Sequence, residues 1–82
     1  MRLDKFLKVS RLIKRRTIAN EACDAGKVNV NGKEAKAYYE VKVGDLLEIR
    51  FGARITRAKV LSIKESVRKD EASTMVEFID NA

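Results

Sequence analysis

The sequence predicts an α+β fold, in which two short N-terminal helices pack on a small, mainly antiparallel β-sheet. Apolar residues recur at helical spacing up to about position 25 and alternate with a period of two from position 28 onward. Turn residues, among them Asn31-Gly32 and Gly44-Asp45, separate the alternating segments. A chain of 82 residues, with about 28% Val, Ile, Leu and Phe, is expected to form a single domain over 1–82 with a thin core.

The first helix is predicted from a narrow apolar stripe. Leu3, Phe6 and Leu7 follow the i, i+3, i+4 spacing of an amphipathic helix, which indicates a helix over about 2–9 with a cationic outer face. The residues that follow fit the stripe poorly. We interpret 10–16 as a turn with a basic surface.

The second helix is predicted from its caps and its small side chains. Thr17 is expected to cap its start, and Gly26 to supply the left-handed conformation just past its end. Alanines at helical spacing would let this helix lie close to the first. Cys23 is the only cysteine, so it cannot form an internal disulfide and is expected to be a buried free thiol.

The sheet is predicted from alternating apolar residues between turns. Val28 and Val30 point inward from a short strand, and Asn31-Gly32 is a strong signal for a tight hairpin with a polar return arm. Further strands are expected in LLEIRF, with Leu47, Ile49 and Phe51 on one face, in RITRAKVLSI and in TMVEFI, with ESVRKDEAS as a loop or one helical turn.

The residue types argue against catalysis. The chain has no histidine, so it has no His-based metal site and no Cys–His nucleophile, and it lacks the most frequent general base of enzymes. Its four glycines stand at turns and form no phosphate-binding loop. The carboxylates are expected to serve caps and turns: Asp4, Asp24, Asp45 and Asp70. We therefore expect no enzyme, no cofactor and no metal.

The same sequence predicts a cytoplasmic protein without a membrane partner. No apolar run approaches the roughly 18–20 residues that a membrane-spanning helix needs. Charged residues interrupt the N-terminal segment MRLDKFLKV too early for a secretory signal.

The positive charge is concentrated at one end of the chain. The net charge is +6, and residues 1–16 carry seven Lys and Arg against Asp4 alone, whereas 37–82 carry eight cations and eight acids. Such an asymmetric field attracts polyanions. Arg15 and Arg16 also flank the expected start of the second helix, where backbone N–H groups favour an anion. This arrangement predicts a phosphate-binding site.

The basic cluster of residues 1–16 has three possible roles other than binding the phosphates of RNA. A solvated face is the usual role of a charge run, and a membrane-surface helix would need a broader exposed apolar face than this one. A helix-turn-helix DNA-binding protein would read bases from its second helix, which offers Asn20, Glu21 and Asp24. Cations placed before that helix suit phosphates and the shape of folded RNA. Tyr38 and Tyr39 either stack on an exposed base, or one packs on the sheet while the other is half exposed.

Four motifs in combination resemble the alpha-L RNA-binding motif of small-subunit ribosomal protein S-four. They are RLDKFLK, RRTIANEA, GKVNVNG and VKVGDLLEI, and together they place the motif at 1–52, with a C-terminal β extension at 53–82. The segment FGARITRAKVLSIKESVRKDEAS extends the resemblance to the free-standing RqcP (YabO) family. The ribosome-associated fifteen-kilodalton heat-shock protein is a more distant relative, with a longer basic tail than this chain has.

The resemblance implies a factor in ribosome-associated quality control. It would bind an obstructed large ribosomal subunit through rRNA and through the peptidyl-tRNA in the P-site, as a monomer. There it would support RqcH, which adds C-terminal alanine tails to stalled chains. A general rRNA-binding factor in ribosome recycling or biogenesis is the alternative. The candidate RNA-binding residues are Arg2 and Arg16, then Lys5, Lys8, Arg11, Lys14 and Arg15, and as extensions Asn20, Lys27, Asn29, Asn31 and Lys33.

Overall fold

A computed structural model describes residues 1–65, 68–72 and 74–79. It confirms the α+β fold, because two N-terminal helices pack beside a five-stranded, wholly antiparallel sheet of order β2-β1-β3-β4-β5. The elements are α1 (Leu3–Val9), α2 (Arg16–Asp24), β1 (Val28–Val30), β2 (Lys33–Glu34), β3 (Leu46–Phe51), β4 (Arg54–Val60), α3 (Lys69–Ala72) and β5 (Val76–Phe78).

The core lies between the helices and one face of the sheet. The alternation predicted for β1 is confirmed, since Val28 and Val30 are buried with Asn29 between them only half-buried. Cys23 is a buried free thiol, as expected. The largest side chains without solvent contact come from every layer: Leu3, Phe6, Leu7, Leu47, Ile49, Val60 and Met75.

The β1–β2 hairpin turns as its sequence predicts. Asn31 and Gly32 have φ values of 53° and 83°, the left-handed pair that a tight hairpin turn requires. Gly26, at φ 74°, follows the end of α2 and confirms the predicted stop.

The start of α2 corrects the sequence analysis. Thr17 is not the N-cap, because the helix begins at Arg16 and Arg15 occupies the cap position without a side-chain hydrogen bond. The backbone carbonyl of Arg15 accepts the first helical hydrogen bond from Ala19, at 3.0 Å. Packing of Ala19 into the core fixes this register, whereas Thr17 is exposed.

Two strand predictions also need correction. Phe51 was expected on the buried face of β3, but it is 43% exposed. It lies at the tip of the β3–β4 hairpin, where it pairs with Arg54 and all of residues 50–55 are exposed. The strand expected in RITRAKVLSI ends at Val60, after which Leu61 and Ser62 both donate to the carbonyl of Met75.

The chain between β4 and the last strand is partly described. One helical turn, α3, lies within the segment predicted as a loop or a turn, of which Ser66, Val67 and Ser73 lie outside the described residues. The last predicted strand is confirmed as β5, which pairs antiparallel with β4.

The start of α1 is fastened to the segment between β2 and β3. Backbone N–H groups of Leu3 and Asp4 donate to the carbonyls of Tyr39 (2.8 Å) and Ala37 (3.2 Å), and Arg2 forms an isolated antiparallel bridge with Glu40. These bonds use N–H groups that a helix start otherwise leaves unpaired. They bring the first residues of the chain beside residues 37–40.

Candidate nucleic-acid interface

A buried carboxylate joins the starts of the two N-terminal helices. Asp4, in the first turn of α1, has a side chain only 3% exposed. Arg2 approaches it with both Nε and Nη2, at 3.3 Å from Oδ1 and Oδ2 respectively. From α2, Arg16 Nη2 lies 3.5 Å from Oδ1 and Asn20 Nδ2 donates to Oδ2 at 3.1 Å. We call Arg2, Asp4, Arg16 and Asn20 the Asp4 cluster.

The Asp4 cluster keeps its carboxylate ionised. Burial by itself would raise the pKa of Asp4, but hydrogen bonds from Asn20 and from the backbone N–H of Lys5 oppose this, as do the charges of Arg16 and Arg2. Together they lower the pKa of Asp4 below its ordinary value. The negative charge is therefore present at neutral pH and orients both guanidinium groups.

The two arginines keep much of their surface in solvent. Arg2 is 47% and Arg16 48% exposed. A guanidinium has five N–H donors, and one carboxylate cannot satisfy two such groups. The donors that Asp4 leaves unused can bind a phosphate, for which the planar guanidinium is well shaped.

An open depression lies beside the cluster at the start of α2. Its volume is about 370 Å³, and Asp4, Arg16, Thr17, Asn20 and Glu21 line it. The first turn of α2 contains no acidic residue, and no side-chain hydrogen bond caps its start. Positive helix-dipole charge and Arg16 therefore act at the same depression. Two acids, Asp4 and Glu21, also line the depression; Asp4 is paired with Arg2 and Arg16, and Glu21 is exposed.

Arg11 adopts a conformation that favours glycine. It follows α1 with φ 64°, while its N–H donates to the Lys8 carbonyl and the N–H of Ile13 donates to the Leu7 carbonyl. The left-handed conformation costs a residue with a Cβ roughly 1–2 kcal/mol. An exposed arginine thus occupies a position at which glycine would be the more stable choice.

The remaining N-terminal cations are not equivalent. Lys8, Lys14 and Arg15 are exposed on α1 and on the turn before α2. Lys5 is only half-exposed, and its ammonium forms an ion pair with Glu65 from the electrically neutral part of the chain. The predicted cations therefore lie on neighbouring elements, but one of them is paired with an acid from the C-terminal part.

The hairpin residues lie outside the Asp4 cluster. Lys27 and Lys33 are exposed, and Asn29 is half-buried between Glu34 and Glu48 on the neighbouring strands. The Asn31 amide is used internally, since Nδ2 donates to Asp45 at 3.1 Å and Oδ1 accepts from the N–H of Leu46 at 3.0 Å.

Sequence reasoning missed the organising role of two aspartates. Asp4 and Asp45 were both expected at caps or turns, and both are buried. Asp45 accepts hydrogen bonds from the Tyr39 hydroxyl (2.9 Å), the Lys42 N–H (2.9 Å) and Asn31. The one available signal for Asp4 was its isolation as the single acid among seven cations.

Comparison with known proteins identifies the family. A sequence model of the S4 domain matches residues 1–47. The RQC P-site tRNA stabilizing factor of Halalkalibacterium halodurans is 60% identical over 77 residues, which cover 94% of this chain and 88% of that protein. The chain belongs to the family of RQC P-site tRNA stabilizing factors. This confirms the resemblance to the alpha-L motif and to the RqcP family.

Another member of the family and a solved structure are also similar to this chain. The Bacillus subtilis RQC P-site tRNA stabilizing factor is 53% identical, with 92% of this chain and 87% of that protein covered. The structure of Vibrio cholerae heat shock protein 15, described as trimeric, has a TM-score of 0.89 at 30% identity, covering 96% of this chain and 81% of that one. The names of the Halalkalibacterium halodurans and Bacillus subtilis relatives describe factors that stabilise the P-site tRNA.

The described residues contain neither a helix suited to span a membrane nor a cluster of metal-ligating side chains. In 1–65, 68–72 and 74–79, no helix is both long and apolar enough to cross a bilayer. The same residues contain no group of three or more Cys, Asp or Glu side chains that is placed to hold a metal ion.

Proposed function

We propose that this protein binds the obstructed large ribosomal subunit, contacting rRNA and the peptidyl-tRNA in the P-site, and supports the addition of alanine tails by RqcH. The observation that carries this proposal is the Asp4 cluster, in which one carboxylate orients Arg2, just before α1, and Arg16, at the start of α2. The names and identities of the family members support the tRNA and ribosome partners.

The proposed interface consists of the Asp4 cluster and the cations around it. Arg2 and Arg16 contact phosphates directly, and the exposed cations of α1 and of the following turn extend the field along the RNA backbone. Asn20 acts through Asp4, whose position it fixes. The surrounding cations are Lys5, Lys8, Arg11, Lys14 and Arg15, with Lys27 and Lys33 at the hairpin. Of the hairpin asparagines, Asn29 extends the interface, whereas the Asn31 amide is already used within the protein.

The geometry of α2 favours RNA over a DNA operator. A recognition helix presents base-reading side chains on its outer face, whereas the Asn20 amide here donates to Asp4. Glu21 and Asp24 are exposed and would repel phosphates. Phosphate contacts position a protein on a nucleic acid without reading its sequence, which suits recognition of folded RNA.

We propose a single domain over 1–82, with the RNA-binding motif at 1–52 and the β extension at 53–82. It acts in the cytoplasm as a monomeric, non-catalytic factor that needs no cofactor or metal.

Substitution of Arg16 tests the interface. Arg16→Ala should weaken binding to large subunits carrying peptidyl-tRNA by about 10- to 100-fold, the range for loss of a charged hydrogen bond. The slope of log affinity against log salt should fall by about 0.7–0.9. Lys59→Ala, which removes an exposed cation of β4, is the matched control and should change affinity less than about threefold. Equal losses in both variants would contradict a localised interface.

Purification from cells tests the ribosomal assignment. The tagged protein should recover the large subunit together with peptidyl-tRNA, and Arg16→Ala should recover neither. Recovery with intact ribosomes or with immature large subunits, without peptidyl-tRNA, would favour a recycling or biogenesis factor. Preference for duplex DNA over folded RNA in competition would reject RNA binding.

A further inference from the structure

A groove opens beside the β1–β2 hairpin, separate from the depression at the start of α2. Its volume is about 470 Å³, and its wall includes Tyr38, Tyr39, Lys33 and Lys36. Its volume falls within the roughly 300–1,000 Å³ that is typical of pockets for small ligands. The groove combines aromatic side chains with cations, which is the composition of sites for single-stranded nucleic acid.

The two tyrosines of the groove differ in what holds them. The hydroxyl of Tyr39 donates to the buried Asp45 at 2.9 Å, and this hydrogen bond raises the pKa of Tyr39. Tyr39 thereby fixes the segment that follows β2. Tyr38 is 70% exposed, the most exposed of the large apolar side chains among the described residues. An exposed aromatic ring on a fixed backbone is ready to stack without reorganisation.

Backbone hydrogen bonds place Tyr38 next to the Asp4 cluster. The carbonyls on either side of it, those of Ala37 and Tyr39, accept from the N–H groups of Asp4 (3.2 Å) and Leu3 (2.8 Å). Tyr38 is therefore held at the same helix start that carries Arg2. This segment connects the groove to the Asp4 cluster through backbone hydrogen bonds, although the groove and the depression at the start of α2 share no lining residue.

The net positive charge of the groove favours a ligand that carries phosphates. Lys33 and Lys36 are exposed on its rim, and Glu34 is its single acid, 3.9 Å from the Lys36 ammonium. The net charge is positive, as phosphates require. An apolar peptide would leave the excess positive charge of the groove uncompensated, whereas a nucleotide chain places its base on the ring and its phosphates near the lysines.

We propose that Tyr38 stacks on an unpaired base of the bound RNA, with Lys33 and Lys36 neutralising the phosphates that flank this base. The site rests on the proposed function, since it extends the same RNA interface. It adds recognition of a single-stranded feature to the phosphate contacts of Arg2 and Arg16. The protein then distinguishes RNA with an extruded nucleotide from a regular duplex.

Binding to two matched RNA hairpins tests the proposal. One hairpin carries a single unpaired 2-aminopurine, and the other is fully paired over the same length. Tyr38→Ala should weaken binding to the first by about 5- to 100-fold, the range for loss of base–aromatic stacking, and leave the second within about twofold. Tyr38→Phe retains the ring and should behave as the wild type. Stacking should also quench the 2-aminopurine, and Tyr38→Ala should abolish this quenching.

Arg16→Ala separates failure of this proposal from failure of the proposed function. If Arg16→Ala weakens binding to both hairpins while Tyr38→Ala changes neither, phosphate binding stands and the stacking site is rejected. If neither variant changes binding, both proposals are rejected. If Tyr38→Ala leaves RNA affinity intact but removes binding of a ribosomal protein, the groove binds protein and the stacking site is again rejected.

Discussion

The guanidinium of Arg16 lies 3.5 Å from the Asp4 carboxylate, although the two residues are 12 positions apart in the chain. Asp4 is thus the structural centre of the basic region and not a charge that merely reduces it. Its attraction for Arg16 and Arg2 lowers the free energy of a surface on which cations would otherwise repel each other.

Acid should destabilise the fold through Asp4. Its pKa is lowered from the ordinary 3.8, so the unfolded chain takes up the proton first as the pH falls. The stabilisation is therefore complete above about pH 3.8 and is lost as the pH falls through the folded-state pKa. Asp4→Asn should reduce the free energy of unfolding at pH 7 by about 1–3 kcal/mol and flatten its dependence on pH below 4.

Urea unfolding at pH 7 and pH 3 measures this effect. The control is Asp24→Asn, which changes an exposed acid on α2. Its free energies of unfolding at pH 7 and at pH 3 should both be near those of the wild type. The pKa of Asp45 is also lowered, so some dependence on pH should survive in Asp4→Asn. If acid reduced the free energy of unfolding of Asp4→Asn as much as that of the wild type, this would contradict the role given to the Asp4 carboxylate.

Arg11→Gly should stabilise the protein while weakening RNA binding. Glycine removes the strain of the left-handed conformation at φ 64°. Its greater freedom in the unfolded chain opposes this gain, so the free energy of unfolding should rise by about 0.5–1 kcal/mol. Loss of the cation should lower the salt slope of RNA binding by about 0.7 if Arg11 contacts a phosphate. Arg11→Lys should leave both quantities nearly unchanged. A less stable Arg11→Gly variant would contradict this reading of the turn.

Release of Lys5 from Glu65 should strengthen RNA binding. The ion pair lowers the pKa of Glu65, through the hydrogen bond from Lys5 and then through its charge. Glu65→Gln frees the ammonium, so RNA affinity should rise and the salt slope should increase by up to about 0.7. Glu77→Gln, at an exposed acid of β5, changes the net charge equally. If the two variants gain affinity equally, the Lys5 ion pair has no local effect.

Cys23 should report opening of the core. Burial raises its pKa to about 11, and the charges of Asp4 and Asp24 add to this. At pH 8 only about 0.1% of the folded thiol is ionised, so alkylation by iodoacetamide should be at least about 100-fold slower than in urea-unfolded protein. Comparable rates in the folded and unfolded states would show that the helices do not protect this thiol.

Local patterns were sufficient where a residue's role depends on its neighbours in the chain. Asn31-Gly32 specified the hairpin because few residues other than Asn and Gly adopt two successive left-handed conformations. Alternation placed Val28 and Val30 inward because side chains of a strand point to opposite faces. The same rule failed for Phe51, because alternation assigns a face but does not say how far the helices cover it.

The sequence by itself determined the α+β fold, its hairpins, the concentration of cations in residues 1–16 and the family resemblance, because these depend on residue order and type. Only the tertiary structure decided that Arg2, Arg16 and Asn20 meet at Asp4, that Lys5 pairs with Glu65, and which tyrosine is exposed. Burial and pairing of a side chain depend on residues distant in the chain, and their approach is set by packing, which local spacing does not encode.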